Sequence, residues 1–472
     1  MVPTFTFPAL NADCTALILD LMDKQSLLMA ACLCRGACQA IRPRLVRNVS
    51  ITQLGKLMHF CHFVFAHKLT SSIHAVTLRV LPVPHLSRYL GSFCDVLEMA
   101  SNLRSFVVHG STQALISITG SPRVAAIVAG GTIPLTKLEM EGIDPTGLHA
   151  LGSVRGLSSL TFSFAPSWNP GLEQLTKIIQ NSSDTLTEIA LHAVYAMGGG
   201  ARWTLKSNAH AYFAPCVKVR RLSVQDIDIE TDFLSVGFPE LEHLALDHGC
   251  LMDTTGILGR PVWPNLKSLK CPLELVYALR SSNLSKLHRL SVDSILEDQI
   301  ACFGSALANF PLRRLFLGAF LHRDGLPRDV SPVQDLLAHI APSVPQLRVM
   351  EVKVYGVLQV NIDFCEFVHL GFVSTIPWPK DIKYVSMSLV DLSSPYDRLA
   401  PLFGPSRESG THWFQAIPSL EYFGYTLNDS TAASFVRRLS QEEDGTARRD
   451  EIECFSHVAD VDPAQYEEPR GC

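Results

Sequence analysis

The chain has 472 residues, of which 47% are hydrophobic and 18% charged, and its formal charge is −5. This is ample apolar material for a continuous core and excludes a mainly disordered chain, and without a basic excess the chain lacks the cations that non-specific nucleic-acid binding needs. A length of this order predicts about three ordinary domains or one long repeat array.

The first ten residues carry Pro3 and Pro8 and no basic stretch, which argues against a signal peptide. Asn11 then caps a predicted helix whose apolar residues Cys14, Leu17, Ile18, Leu21 and Met22 fall at helical spacing. Ser26 is a second cap candidate, and Leu27 to Cys34 after it are all hydrophobic. A helix apolar all round must be buried all round. A bundle of only ~40 residues is too small to do this alone, so part of its apolar surface is expected to be covered by the rest of the chain or by another protein.

The order Leu10-Asn11-Ala12-Asp13, Ile18, Met22, Ser26-Leu27-Leu28, Leu33-Cys34-Arg35, Pro43, Leu45 and Val49 resembles the F-box. That family's pattern runs Leu-Pro-x-Glu/Asp, Ile, Leu, Asp-Leu, Val-Cys-Arg-x-Trp, Pro-x-Leu, and the spacing agrees without a gap through Arg35. Three positions depart from it: Asn11 replaces the usual proline, Thr15 a common aliphatic, and Ala37 the frequent tryptophan. The resemblance implies that residues 1–50 are an all-α module binding the adaptor of a cullin–RING ubiquitin ligase and, through it, the cullin. It implies the adaptor-binding set Leu10, Leu17, Ile18, Leu21, Leu27, Leu28, Leu33, Cys34, Arg35, Pro43 and Leu45, some of which must form the module's own core. The alternative, suggested by Ala37, is a repeat scaffold with a degenerate F-box and no ligase role.

Residues 51–72 read as a linker helix, and the amphipathic stretch Ile51 to His67 is similar to the lead-in of fungal F-box proteins with leucine-rich repeats. His59, Cys61, His62 and His67 alternate with Phe60, Phe63 and Phe65, which favours rim histidines over a metal site. Cys32, Cys34 and Cys38 lack the paired knuckles of a zinc site and read as packing thiols.

From Ile73 onward the pattern apolar-x-x-apolar-x-apolar recurs thirteen times, beginning at Ile73, Leu103, Leu135, Leu157, Leu186, Val219 and Leu241, then at Leu266, Leu287, Leu312, Leu347, Ile382 and Leu420. The mean step is about 29 residues, within the range of repeat architectures. Each copy has the period of a short strand with one buried face. Stripes such as Leu172, Leu175, Ile178 and Ile179, or Val333, Leu336, Leu337 and Ile340, predict helices between strands. Pro239, Pro264, Pro311, Pro345 and Pro418 stand just before a copy and end the preceding helix. The predicted fold is α/β, a solenoid with a parallel sheet on its concave face and helices outside. It resembles an irregular leucine-rich-repeat array over residues 73–440, although the Asn or Cys ladder position of that family is mostly absent.

Residues between the apolar positions are expected on the open face of the sheet. Arg104, His243, His288, Arg289, Arg313, Arg314 and Arg348 are the candidates for gripping an acidic target. The segment 441–472 carries ten acids against three arginines and reads as a solvated tail with a charge suited to that arginine-bearing face. Nothing converges on catalysis or on a cofactor: Gly198-Gly199-Gly200 lacks a phosphate-loop lysine, and Asp247, His248 and Asp293 form no triad. Thirteen scattered cysteines suit a reducing, cytoplasmic or nuclear compartment. The apolar window Ala114 to Leu135 is broken by prolines, glycines and Arg123, so no membrane span is expected at the ~20 residues a bilayer requires. The sequence therefore reads as a non-enzymatic substrate receptor: F-box for the adaptor, repeats for an unidentified target protein.

Overall fold

The structure is a computed structural model and describes residues 11–80, 87–110, 122–131, 133–143, 145–164, 172–193, 203–205, 214–247, 254, 257, 262–321, 332–356, 371–391, 407–427, 431–441, 448–455 and 463–466. It divides into two compact units, Met1–Pro239 and Glu240–Cys472. Gly198 to Gly200 and His248 lie outside the described residues.

The first unit opens with three helices, α1 (Ala12–Leu21), α2 (Lys24–Ala31) and α3 (Arg35–Leu45), followed by β1 (Asn48–Ile51) and α4 (Leu54–His67). Strands and helices then alternate: β2 (Ala75–Val80), α5 (Ser87–Met99), β3 (Ser105–Gly110), α6 (Pro122–Ala129), β4 (Lys137–Ile143), α7 (Pro145–Ala150), β5 (Ser159–Phe164) and α8 (Leu172–Asn181). The unit closes with β6 (Glu188–Ala193), β7 (Trp203–Leu205), β8 (Arg221–Gln225), β9 (Ile227–Ile229) and α9 (Thr231–Gly237). Strands β1 to β6 and then β8 lie side by side in chain order, all parallel. Strands β7 and β9 form a separate parallel pair.

In the second unit β10 (His243–Leu246), β11 (Ser268–Lys270), α10 (Leu273–Leu279), β12 (Arg289–Leu296), α11 (Ile300–Leu307), β13 (Arg314–Leu321) and α12 (Pro332–Ile340) follow the same alternation. After them come β14 (Val349–Gly356), β15 (Tyr384–Asp391), α13 (Arg407–Ala416), β16 (Tyr422–Leu427), β17 (Thr431–Gln441) and β18 (Arg448–Phe455). Strands β10 to β16 are parallel neighbours in chain order, and β17 and β18 add an antiparallel end. The fold is thus α/β, each unit carrying a mostly parallel sheet built from repeated strand–helix units, as the sequence periodicity predicts.

All thirteen copies of the motif form a strand, and each strand begins at the third residue of its copy. The first, fourth and sixth residues of every copy are buried, from Ile73, Val76 and Leu78 to Leu420, Phe423 and Tyr425. Between them the ladder starts one residue early. The carbonyl of the second residue accepts the backbone N–H of both the second and third residues of the next copy: His74 from Arg104 and Ser105 at 2.8 and 3.1 Å, Arg313 from Arg348 and Val349 at 2.9 and 3.0 Å. In the first unit the hydroxyls of Thr136, Ser158 and Thr187 add a third bond to the preceding carbonyl at 3.0–3.1 Å. Backbone and hydroxyls therefore do what a side-chain Asn ladder would otherwise do. The predicted helical stripes are also in place, with Leu175, Ile178 and Ile179 of α8 and Val333, Leu336, Leu337 and Ile340 of α12 buried. Neighbouring helices pack in chain order, α4 through α8 in one unit and α10 through α12 in the other.

Two boundaries differ from the sequence reading. The stretch 51–72 is not a linker: β1 pairs with β2, the Arg47 carbonyl accepts from His74 and Ala75 at 2.9 Å, and α4 is the helix between them. Val46, Val49 and Ile51 are a further copy of the motif, hidden in the sequence because they overlap the F-box resemblance. The array begins at residue 46.

The acidic tail is not wholly solvated either. Strand β18 pairs with β17 from Ser434↔Phe455 to Gln441↔Arg448. Further on, Pro463–Tyr466 forms a short turn that leaves Tyr466 buried. An acidic composition hid the alternation of Glu451, Ile452, Glu453 and Cys454.

Strand β12 shifts register between Val292 and Ile295, which brings the Asp293 carbonyl against Gly318 of β13, where any Cβ would clash with it. Gly318→Ala is expected to lower stability by about 1–3 kcal/mol. Urea unfolding checks this, and an unchanged midpoint would show that the shifted segment yields.

Candidate functional site

The three-helix module is built around few residues. Asn11 caps α1 as expected, its side chain accepting from Asp13 N at 3.0 Å. Helix α2 is capped by Asp23 rather than Ser26: the Asp23 carboxylate accepts from Ser26 N at 2.7 Å and from the Ser26 hydroxyl at 3.1 Å. Those bonds hold the Asp23 carboxyl below its ordinary pKa. The hydrophobic run Leu27 to Cys34 is not one helix. Helix α2 ends at Ala31, and the Cys34 sulfur caps α3 by accepting from Ala37 N at 3.4 Å.

Four buried residues, Leu19, Leu27, Ala37 and Ile41, form the centre, with Met22, Ala30, Ala31, Cys34 and Leu45 packed against it. Arg44 clamps α1 from α3, donating to Asp20 at 2.8 Å and to the Ala16 carbonyl at 3.2 Å. The Arg42 guanidinium lies 3.2 Å from His67 Nδ1 and ties α3 to α4.

The apolar stripe of α1 faces out. Leu17 is 62% exposed and Leu21 79%, with Ile18 and Cys14 exposed on the same face at i, i+3, i+4, i+7 spacing, while Leu19 and Met22 turn inward. Leu28 and Met29 of α2 and Leu33 beyond it are also exposed, Leu33 at 71%. Six large aliphatic side chains within 17 residues therefore face water.

The predicted adaptor set separates accordingly. Leu17, Ile18, Leu21, Leu28, Leu33 and Arg35 are exposed, and Cys34, Pro43 and Leu45 are half-buried. Leu27 belongs to the core, because the Asp23 cap turns it toward Ile41, and Leu10 lies outside the described residues. Ala37, at the family's tryptophan position, is only 4% exposed and belongs to the core instead of the outer face. Sequence reasoning missed Met29, although it belongs to the same apolar run.

Between this module and the first strands is a cleft of about 500 Å³, lined by Asp20, Arg44, Arg47, His74 and Arg104 among others. Arg104 thus sits here, donating to the Pro134 carbonyl at 3.3 Å.

The other predicted target-binding residues lie in the second unit, and the strand register brings most of them together. Arg289, Arg314, Val349, Tyr384 and Tyr422 form one row across β12 to β16 on the open face. His288, Arg313, Arg348 and Lys383 form the row one residue upstream, at the strand ends. His243 pairs in register with Ser268, which continues the first row toward β10. Arg314 bonds Glu351 at 2.8 Å, Lys383 bonds Glu421 at 2.9 Å, and Lys270 is held between Asp247 and Asp293 at 2.5 and 3.1 Å. Lys383, Tyr384 and Tyr422 in these rows were not anticipated; motif spacing alone would have found them.

The Cys61 and Cys216 thiols are pushed up to about 11 by burial, and Cys271 is raised further, so these are packing groups. Cys61 is buried and His59 and His62 are exposed, which places them on different faces of α4. No cluster of three His, Cys, Asp or Glu able to hold a metal occurs among the described residues. No helix among them is long and apolar enough to cross a membrane. In comparisons with known proteins, no family model matches the chain and no curated protein is significantly similar to it.

Leu27→Ala is expected to cost about 2–5 kcal/mol and Leu28→Ala less than about 0.5 kcal/mol, measured as loss of hydrogen-exchange protection in α1 to α3. Ala37→Trp is expected to disorder the same helices, because Ala37 is buried in the small core with Ile41 and an indole there would overpack it.

Proposed function

We propose that the chain is the target-recognition subunit of an SCF-type cullin–RING ubiquitin ligase. The helical module binds the adaptor, and an open face of the sheet binds a target protein. The observation that carries this reading is the outward apolar stripe of α1, continued by Leu28, Met29 and Leu33. A helix that sets Leu17, Ile18 and Leu21 in water while a smaller set forms its core is arranged for a partner, since an exposed apolar patch marks an interaction surface. Burying each such side chain returns about 1.5–3 kcal/mol when complete, and six together offset the cost of association.

The F-box resemblance supports an adaptor as that partner, and the repeats supply the second surface a receptor needs. The role is one of binding, with transfer chemistry belonging to other subunits. The alternative, a scaffold with a degenerate F-box, draws on the missing tryptophan. Its motive weakens because Ala37 lies inside the module, where its small size alters the core and leaves the exposed leucines in place.

The purified chain is expected to bind the ligase adaptor directly by calorimetry, with affinity in the hundred-nanomolar range or tighter. Leu17→Asp/Leu28→Asp should weaken binding at least 30-fold, about 2 kcal/mol, with circular dichroism unchanged. Absence of binding by the well-folded wild type would assign the module to capping the repeats.

A further inference from the structure

The open face of the second unit changes character along one row. Arg289 and Arg314 precede Val349, Tyr384 and Tyr422 in strand register. Val349 points away from the core, since its neighbours Met350 and Val352 are the inward residues, yet it is fully buried. Tyr384 and Tyr422 are buried on the same side, their rings parallel with centroids 4.4 Å apart. Gly424 leaves room for the Tyr422 ring to lie along its strand, since a Cβ there would meet that ring. Burial raises both phenol pKa values, so the stack is uncharged at neutral pH.

A shelf of this kind on an open face needs a cover, and among the described residues Tyr466 supplies part of it. Tyr466, 8% exposed, packs its ring 5.5 Å from that of Tyr384, with Val436 of β17 beside the cluster. Its turn, Pro463–Tyr466, sits in an acidic sequence, Asp460-Val-Asp462-Pro-Ala-Gln-Tyr466-Glu467-Glu468. The row just upstream of the shelf carries the opposite charge in Arg313 and Arg348, while Arg314 and Lys383 are paired with Glu351 and Glu421.

We propose that this shelf is a docking site for an acidic peptide segment of the target carrying an aromatic residue, and that the chain's own Tyr466 segment occupies it as an internal competitor. The proposal rests on the reading that this face receives the target. The tail displays the chemistry the site selects: a ring packed at a tilt against that of Tyr384, in a sequence whose carboxylates match the charge of Arg313 and Arg348. Because the tail is tethered, it competes at a high effective concentration, and an external segment gains the site only with more contacts or after the tail is released.

The test uses the full-length chain and a fluorescein-labelled peptide of the sequence Asp460 to Glu468, followed by anisotropy. Tyr466→Ala is expected to bind the peptide at least 10-fold more tightly than the wild type. Glu467→Lys/Glu468→Lys should act in the same direction without touching the packed ring. Replacing tyrosine by alanine in the peptide should abolish binding, and adding Arg313→Ala/Arg348→Ala to the Tyr466→Ala chain should weaken it and flatten its salt dependence. Equal affinities for wild type and both tail variants, or binding that survives loss of the peptide's tyrosine, would overturn the proposal. Adaptor binding by the same variants is read separately: peptide capture without adaptor binding leaves the shelf standing and removes the ligase reading, and adaptor binding without tail-dependent capture does the reverse.

Discussion

Within each unit, one backbone arrangement governs the array: a single carbonyl, at the second residue of each motif copy, accepts two amides from the next copy. That bond pair starts every strand at the same place, and the start decides which residues face inward. Because side chains alternate, a slip of one residue would send all the apolar positions to solvent. The burial of the first, fourth and sixth residues in all thirteen copies is the consequence. The side chain at the second position is not needed for that backbone bond pair, although Thr136, Ser158 and Thr187 add a hydroxyl bond to it. It can therefore become His288, Arg313, Arg348 or Lys383 and form a charged row without disturbing the fold.

The helical module follows a different economy. Its centre has four buried residues, Leu19, Leu27, Ala37 and Ile41; Arg44 clamps α1 to α3 within it, and Arg42 on His67 ties it to the repeats. So small a core leaves most of the apolar residues of α1 and α2 outside. In the proposed receptor this is the adaptor surface. The same logic runs in reverse at the far end of the chain, where Val349, Tyr384 and Tyr422 are apolar on the polar face of the sheet and are covered by the chain's own turn.

Much of this was legible beforehand. The repeat, its strands, the helix stripes and the Asn11 cap could be read because each depends on neighbours within a few residues and on a period the chain repeats many times. The candidate arginines were legible for the same reason, as the residues between apolar positions. The copy at Val46 was not, because its residues also completed a different pattern, and strand β18 was not, because an acidic composition masks an alternation that pairing with β17 makes worthwhile.

By itself the sequence determined an α/β repeat of about 29 residues and a distinct helical module before it. Tertiary structure alone decided direction. It turned Leu27 and Ala37 into the core and left Leu17, Ile18 and Leu21 outside, because helix periodicity defines a face without saying what that face meets. It also set Arg314, Val349, Tyr384 and Tyr422 side by side and packed Tyr466 against the last three, because residues so far apart in the chain are brought together only by register and packing.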